Sequence, residues 1–248
     1  MVRLFLQAQC IVFVFFAFFA VPSSAQLRSP VGWQWQNPLP QGNPLYSISF
    51  ASDKEHGLAV GSDGTVLGTT DGGFSWKRQT VPVDAAIASV FVRDKANAVI
   101  VGARGTVLTT INGGKEWRVV PVETRDHLTA VTFAGPEMKT GWITGTYGRV
   151  LKSENGGVSW RVVPTATEQQ LSNVDAFDAD RAVAVGMNGA VLTTTNGGET
   201  WASVDACAGA TVSDAAFLTA TTVLAVGFGG CVTRSENAGE TWSRVDIY

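Results

Sequence analysis

Few residues in this 248-residue sequence could carry out acid-base, nucleophilic or metal chemistry. His56 and His127 are its two histidines, and Tyr46, Tyr147 and Tyr248 are its three tyrosines. The histidines belong to different repeats, in connections expected to reach opposite faces of the fold, so a shared metal site or a Ser-His-Asp triad is not expected. No glycine-rich loop precedes a helical pattern, so no phosphate cradle is expected either. The sequence therefore predicts no catalytic residue, no metal site and no cofactor.

The cysteines indicate a disulfide bond. Cys10 lies in an apolar N-terminal stretch, which leaves Cys207 and Cys231 as a pair. An even number of cysteines in an exported chain is typical of disulfide bonding. Because both residues are expected toward the same face of the last repeat, we predict a Cys207–Cys231 bond.

The first 25 residues have the pattern of a secretory signal peptide. Arg3 gives a short positive start, an apolar stretch follows, and Ser23-Ser24-Ala25 supplies small residues for cleavage after Ala25. The uninterrupted apolar core, 11–21, is shorter than the roughly 20 residues that a membrane-spanning helix needs. We therefore expect export to the periplasm or the cell exterior, with no stable membrane insertion. The 18 basic and 21 acidic residues include no basic run, so nucleic acid is not an expected partner.

A repeat of about 41 residues organises the rest of the chain. Each copy has a Gly that closes an apolar run and, fifteen residues later, a Trp. These pairs are Gly61 and Trp76, Gly102 and Trp117, Gly145 and Trp160, Gly186 and Trp201, and Gly227 and Trp242. An aromatic residue precedes each Gly: Phe50, Phe91, Phe133, Phe177 or Phe217. When these Gly, Trp and Phe residues are used to align the copies, only the connections before and after the first strand of each copy vary in length.

Each copy divides into four short strands, A to D. In the second copy Ile87–Val92, 98–101 and Thr106–Thr110 have the composition of strands A, B and C, and strand D begins near Trp117. This predicts an all-β fold, a β-propeller of about five four-stranded blades. The predicted blades are 45–82, 85–121, 127–164, 170–205 and 210–248, after an N-terminal segment, 26–44, in which residues 31–44 form an extra outer strand or a plug.

The turn before each Trp resembles the Asp-box, or bacterial neuraminidase repeat, as in TDGGFSW at 70–76. The box residues are Asp71, Gly73 and Trp76; Asn112, Gly114 and Trp117; Asn155, Gly157 and Trp160; Asn196, Gly198 and Trp201; and Asn237, Gly239 and Trp242. A metal or sugar site is the functional interpretation of such a turn. Because four copies carry Asn where a hard cation prefers a carboxylate, we favour a structural role.

The chain beyond residue 30 resembles the photosystem II assembly-factor-like propellers. WQNPLPQGN at 35–43 carries the resemblance, together with VGSDGTVL at 60–67 and TDGGFSW at 70–76. The resemblance implies a non-catalytic protein that binds a protein partner, such as a subunit of a membrane complex, and a thylakoid lumenal location if the organism is photosynthetic. The resemblance to the named photosynthetic members implies seven blades. This chain departs from that pattern, because it has about five units.

The partner-binding residues are predicted on one face of the propeller, where the B–C turns and D–A loops emerge together. The residue types at the turn positions differ in every blade, although the flanking sequence is nearly identical. They include types that are enriched at protein interfaces. The candidates are Asp63, Arg104, Tyr147, Asn188 and Phe228 in the turns, and Arg125 and His127 in a D–A loop. Exposed turns also tolerate varied residues that have no role, so the sequence leaves both interpretations open.

Two other functions remain as alternatives. Sialidases carry Asp-boxes on propellers, which suggests glycan binding or hydrolysis, but the sequence shows no arginine cluster with a Tyr–Glu pair and an acid Asp. A structural or surface-display propeller is the other alternative, and the sequence does not separate it from a binding protein.

Overall fold

The alternation of Val, Ile and Thr runs with Gly, Asn and Asp turns produces antiparallel sheets in sequence order. A computed structural model describes residues 42–246, so the predicted signal peptide and nearly all of the N-terminal segment predicted at 26–44 lie outside the described residues. The described residues form five four-stranded antiparallel sheets, in which neighbouring strands are consecutive along the chain. The predicted all-β propeller of five blades is confirmed. No helix in this part of the chain is long and apolar enough to cross a membrane.

Each sheet is one blade, and its strands run from the inner to the outer edge. Blade 1 contains β1 (Leu45–Phe50), β2 (Gly57–Gly61), β3 (Val66–Thr69) and β4 (Lys77–Gln79). Blade 2 contains β5 (Ile87–Val92), β6 (Ala98–Gly102), β7 (Thr106–Thr110) and β8 (Arg118–Val119). Blade 3 contains β9 (Leu128–Ala134), β10 (Thr140–Gly145), β11 (Val150–Ser153) and β12 (Arg161–Val163). Blade 4 contains β13 (Leu171–Ala176), β14 (Ala182–Gly186), β15 (Ala190–Thr194) and β16 (Ala202–Asp205). Blade 5 contains β17 (Val212–Phe217), β18 (Val223–Gly227), β19 (Cys231–Ser235) and β20 (Ser243–Arg244).

Apolar residues of consecutive blades pack face to face in four clusters. We call the face of a blade that packs on the next blade in the sequence its front face, and the opposite face its rear face. Between blades 1 and 2, Val60 and Val66 on a front face meet Ile87, Ile100 and Trp117 on a rear face. Because the blades are equivalent repeats, the same arrangement joins blades 2 and 3, 3 and 4, and 4 and 5.

The Asp-box tryptophans lie on the rear faces of their blades. Three of them are buried against the preceding blade: Trp117, Trp160 and Trp201. Trp242 is half-buried and packs against the cluster between blades 4 and 5. Trp76, in blade 1, is also half-buried and packs edge-on against Phe50 of its own blade. The four tryptophans that have a preceding blade therefore stabilise the contacts between blades, and those of blades 2 to 4 are the most buried.

The D–A loops have constant length, which corrects the prediction that they vary. From the Asp-box Trp to the first residue of the next inner strand the chain advances by the same number of residues in all four cases. The aromatic markers caused the error. Phe50, Phe133 and Phe217 occupy the same strand position, but Phe91 precedes that position by one residue and Phe177 follows it by one. Only the A–B connection changes length.

Each Asp-box is held by a repeated set of short hydrogen bonds. A Ser or Thr hydroxyl accepts from the N–H of the Gly two residues after the Asx at 2.8–3.0 Å and donates to the Asx side chain. The Asx Oδ1 accepts from the N–H four residues on at 2.9–3.1 Å. These acceptors thus bond to backbone and hydroxyl groups of the same turn, which agrees with a structural role.

Asp71 is the one box residue with a carboxylate, and its protonation is coupled to folding. Hydrogen bonds from the Ser75 hydroxyl and the Ser75 N–H, with a smaller one from Thr69, lower the pKa of Asp71 from 3.8 to about 2. The unfolded chain keeps the ordinary pKa, so ionised Asp71 stabilises the fold above that pH, and this stabilisation is lost as the pH falls toward 2.

We expect Asp71→Asn to remove this acid-sensitive contribution. Asn retains the Oδ1 acceptor that the other four boxes use but cannot ionise, so the difference in melting temperature between wild type and variant should shrink as the pH falls from about 4 to about 2. Thermal unfolding followed by circular dichroism across this range measures the difference. The reciprocal variant Asn196→Asp, whose neighbour Thr200 also offers a hydroxyl, should acquire the same dependence. A difference independent of pH would contradict the assignment.

Candidate partner-binding face

Backbone hydrogen bonds join the B–C turns and the D–A loops on one face of the molecule. Three of the four D–A loops accept from the B–C turn of the blade before them, as in Gly64 N–H to Ala85 O at 3.0 Å and Gly105 N–H to Asp126 O at 2.8 Å. All four also accept from the turn of the blade after them, as in Ala103 N–H to Ala86 O at 2.8 Å. Three of the loops are therefore fixed from both sides. The turns and loops that carry the predicted residues lie on this face, which we call the display face.

The second residue of every B–C turn has a left-handed backbone conformation. These residues are Asp63, Arg104, Tyr147, Asn188 and Gly229, with φ between 52° and 65°. In blades 2, 4 and 5 the turn is a single turn of 3-10 helix, at Ala103–Gly105, Met187–Gly189 and Phe228–Gly230. A positive φ suits Gly and costs other residues about 1 kcal/mol or more. Four of the five turns nevertheless carry a side chain there.

Large side chains of this face are exposed to solvent. Tyr147 is 72% and Phe228 68% exposed, and Met187 is also exposed. Arg104 is exposed as well and reaches Asp84 of the preceding loop, with Nη2 3.2 Å from Oδ1. An ion pair this exposed contributes little to stability, so Arg104 remains available to an anionic group of a partner.

The D–A loop at 124–127 is ordered by an ion pair that the sequence did not reveal. Arg149 Nε donates to Asp126 Oδ2 at 2.6 Å. Burial raises the pKa of Asp126, but hydrogen bonds from Thr124 and Arg149 outweigh this and lower it. The backbone carbonyl of His127 accepts from Thr146 N–H at 2.9 Å. The side chains of His127 and Arg125 are exposed. Asn188 donates to Gln169 Oε1 at 2.6 Å.

The residue type at the position of Arg149 differs between the repeats. In the other blades the same position, the residue before the first Val of strand C, holds Thr65, Thr106, Ala190 or Cys231. Cys231 forms a disulfide with Cys207 of the preceding D–A loop, and the two Cα atoms are 5.8 Å apart. The ion pair in blade 3 and the disulfide in blade 5 therefore fasten loop to blade at one shared position.

The opposite face, formed by the A–B loops and the Asp-boxes, holds a cavity of about 140 Å³ between blades 1 and 2. Gly68 lines this cavity, at a position that in the other blades holds Thr109, Lys152, Thr193 or Arg234. His56 also lies on this side, and its Nδ1 is 2.8 Å from Asp53 Oδ2. Within residues 42–246 no three His, Cys, Asp or Glu side chains come together in a way that could hold a metal ion.

Comparisons with known proteins agree with the described architecture. The sequence profile of the family described as Photosynthesis system II assembly factor YCF48 matches residues 26–93 and 74–213. No curated protein sequence matches the chain. The solved structure of YCF48 bound to D1 peptide is similar, with a TM-score of 0.59, 19% identity and coverage of 83% of each chain.

Glycoside hydrolases of family GH74 share the fold. An ancestral GH74 enzyme has a TM-score of 0.68 at 17% identity, and the GH74 enzyme of Niastella koreensis has 0.66 at 13%. The alignments cover 88% and 81% of this chain but 33% and 38% of those enzymes. At these identities the likeness shows the propeller fold alone.

Proposed function

Because the chain belongs to the family of the photosynthesis system II assembly factor YCF48, we propose that it is an exported, non-catalytic binding protein that holds a segment of a partner protein on the display face. The profile match covers more than half of the sequence and extends across blades 1 to 4. The proposal assigns partner contact to Arg104, Tyr147 and Phe228, flanked by Arg125 and His127.

The observation that carries the proposal is the set of side chains held in left-handed turns. Glycine would adopt this backbone without cost, yet Arg104 and Tyr147 occupy it at φ 59° and 57°. Strained backbone positions that persist on a rigid frame are typical of binding sites. Their side chains point away from the blade cores, since both residues are exposed. A rigid frame with exposed aromatic and arginine side chains suits a protein surface or a peptide.

The structure of YCF48 with a D1 peptide supports the kind of partner. That relative binds a peptide from a protein, and the present chain has the same fold and family. We therefore propose that this chain binds an extended or loop segment of another protein, in the manner of an assembly factor. D1 itself is the first probe to use.

The GH74 likeness favours hydrolysis as a second candidate, but the described residues supply little for it. Glycoside hydrolysis needs one carboxyl with a raised pKa as the general acid. In residues 42–246 each carboxyl with a resolved shift has a lowered pKa, including Asp53, Asp94 and Asp178. A carboxyl that stays ionised suits a structural hydrogen bond better than proton donation.

Export is part of the proposal. The pattern of the first 25 residues supports it, and so does the Cys207–Cys231 bond, because disulfides persist in oxidising compartments. The proposed location is the periplasm or the cell exterior, or the thylakoid lumen in a photosynthetic host. N-terminal sequencing of the protein from its host should show a chain that starts at Gln26.

We expect the double variant Arg104→Ala and Tyr147→Ala to weaken partner binding at least about tenfold, the loss of one or two interface anchors. Its melting temperature should not fall, because both side chains are exposed and Ala removes no buried contact. Binding is measured first to a D1 peptide by fluorescence anisotropy, and then by capture from membrane and exported fractions of the host.

The matched control is Lys115→Ala with Val158→Ala, which removes one cation and one exposed apolar side chain from the Asp-box face. This variant should bind like wild type. Equal losses in both variants, or no loss in either, would refute the assignment to the display face. Hydrolysis of a glycan by wild type would refute the non-catalytic proposal.

A further inference from the structure

Among residues 42–246, no blade covers the rear face of blade 1, whereas each other rear face packs on a preceding blade. Ile48 is 59% exposed, whereas Val90, at the same position of blade 2, is 4% exposed. Leu45 and Phe50 are exposed as well. The equivalent first residues of the other inner strands are all buried: Ile87, Leu128, Leu171 and Val212. Blade 1 thus presents an apolar surface built like a blade-to-blade contact.

The front face of blade 5 is exposed in the same way. Val226 is 38% exposed, whereas the four equivalent residues are all 0% exposed: Val60, Val101, Thr144 and Val185. Leu224 and Val232 are half-buried at positions that are buried in the other blades. Among the described residues, the hydrophobic clusters join successive blades, and none joins blade 5 to blade 1.

Terminal repeats normally end in a polar face that keeps the protein soluble. Here both ends are apolar, and an exposed apolar patch usually marks an interaction surface. The two surfaces also carry the repeat positions that form the front-on-rear contact four times within the chain. We propose that a second copy of this chain covers them, with the front face of blade 5 in one copy packed on the rear face of blade 1 in the other.

Charge supports this pairing. In blade 3, the front-face residue Lys152 places its Nζ 3.2 Å from the point where a Cβ on Gly197 would lie, beside the Asp-box of blade 4. Arg234 holds the same position on the front face of blade 5 and pairs with Glu236, as Lys152 pairs with Glu154. The residue matching Gly197 in blade 1 is Gly72, next to Asp71, the one box carboxylate. Head-to-tail packing therefore brings the Arg234 guanidinium close to Asp71 of the second copy.

Each covered rear face meets a whole four-stranded sheet, and the sheet of blade 1, for example, extends from Leu45 to Gln79. A second copy supplies a whole blade with the side chains that the interface already uses elsewhere.

The test uses two variants that spoil opposite faces. Ile48→Asp places a carboxylate on the rear face of blade 1, and Val226→Asp places one on the front face of blade 5. Each variant alone should self-associate at least about tenfold more weakly than wild type, because the contact would bury an unpaired charge. A mixture of the two should form a 1:1 complex, since each supplies the face that the other has lost. Sedimentation velocity measures all three samples.

Val119→Asp is the matched control, because Val119 is equally apolar and exposed but lies on the outer strand of blade 2; it should self-associate like wild type. Arg234→Glu should also weaken the contact, and by less at high salt. A wild type that stays monomeric at about 100 μM, a concentration that reveals weak contacts, would overturn the proposal. So would a mixture that gives no complex. Circular dichroism of each variant verifies folding, and partner binding by the display face is scored separately.

Discussion

Replacing Trp160 by alanine is expected to lower the free energy of unfolding by about 3–5 kcal/mol. Trp160 is buried in the cluster between blades 2 and 3, and its ring meets Phe133 edge-on with centroids 5.6 Å apart. Alanine removes the apolar surface of the indole and leaves a cavity that sheet backbones on both sides cannot close. Urea unfolding followed by circular dichroism measures the loss.

Trp76→Ala is the matched control for this prediction. Trp76 occupies the same Asp-box position, but its blade has no preceding blade within the described residues, and the indole is half-buried. At concentrations low enough to keep copies apart, its loss should cost less than half as much as that of Trp160. Equal costs would show that the rear face of blade 1 is covered within a single chain.

Removing the disulfide is expected to cost about 3 kcal/mol of stability, the chain-entropy value for the loop it closes. The bond joins residues 24 positions apart and ties the last D–A loop to the start of β19. The double variant Cys207→Ala and Cys231→Ala leaves no unpaired thiol in the described residues and serves as the test. Its melting temperature should fall well below that of oxidised wild type.

Reductant provides the internal control. Wild type in reductant should unfold near the variant, because both then lack the cross-link, and reductant should not change the variant. If oxidised wild type and variant unfold together, the bond is absent from the purified protein. The interpretation of Cys231 as the counterpart of Arg149 would then lose its support.

The sequence predicted the blades well because their signals are local. Strands β5 and β7 have the predicted ends, since β-branched runs between Gly and Asn turns determine a hairpin without distant contacts. The strand D segments proved only two to four residues long. Phe91 and Phe177 misaligned the inner strands, because hydrophobicity places an aromatic residue near a core without fixing which strand position it fills.

The candidate face was predictable in position but not in detail. Blade topology places the turns and loops together, so Arg104 and Tyr147 could be found from the sequence. The Arg149–Asp126 pair could not, because it depends on how a loop folds back over the next blade. The uncovered face of blade 1 was equally hidden: Ile48 and Val90 look alike in sequence, and only the arrangement of whole blades makes one exposed and the other buried.

On the display face, backbone hydrogen bonds between turns and loops determine the shape, and the side chains at the turn tips determine the chemical character. Turn geometry is maintained by backbone N–H and C=O groups, so the side chain at each tip can change without breaking the bonds to its neighbours. A new recognition preference can therefore be acquired one blade at a time, through intermediates that all remain folded. The same property makes the five tips suitable positions for a combinatorial library, in which affinity is selected while the frame stays constant.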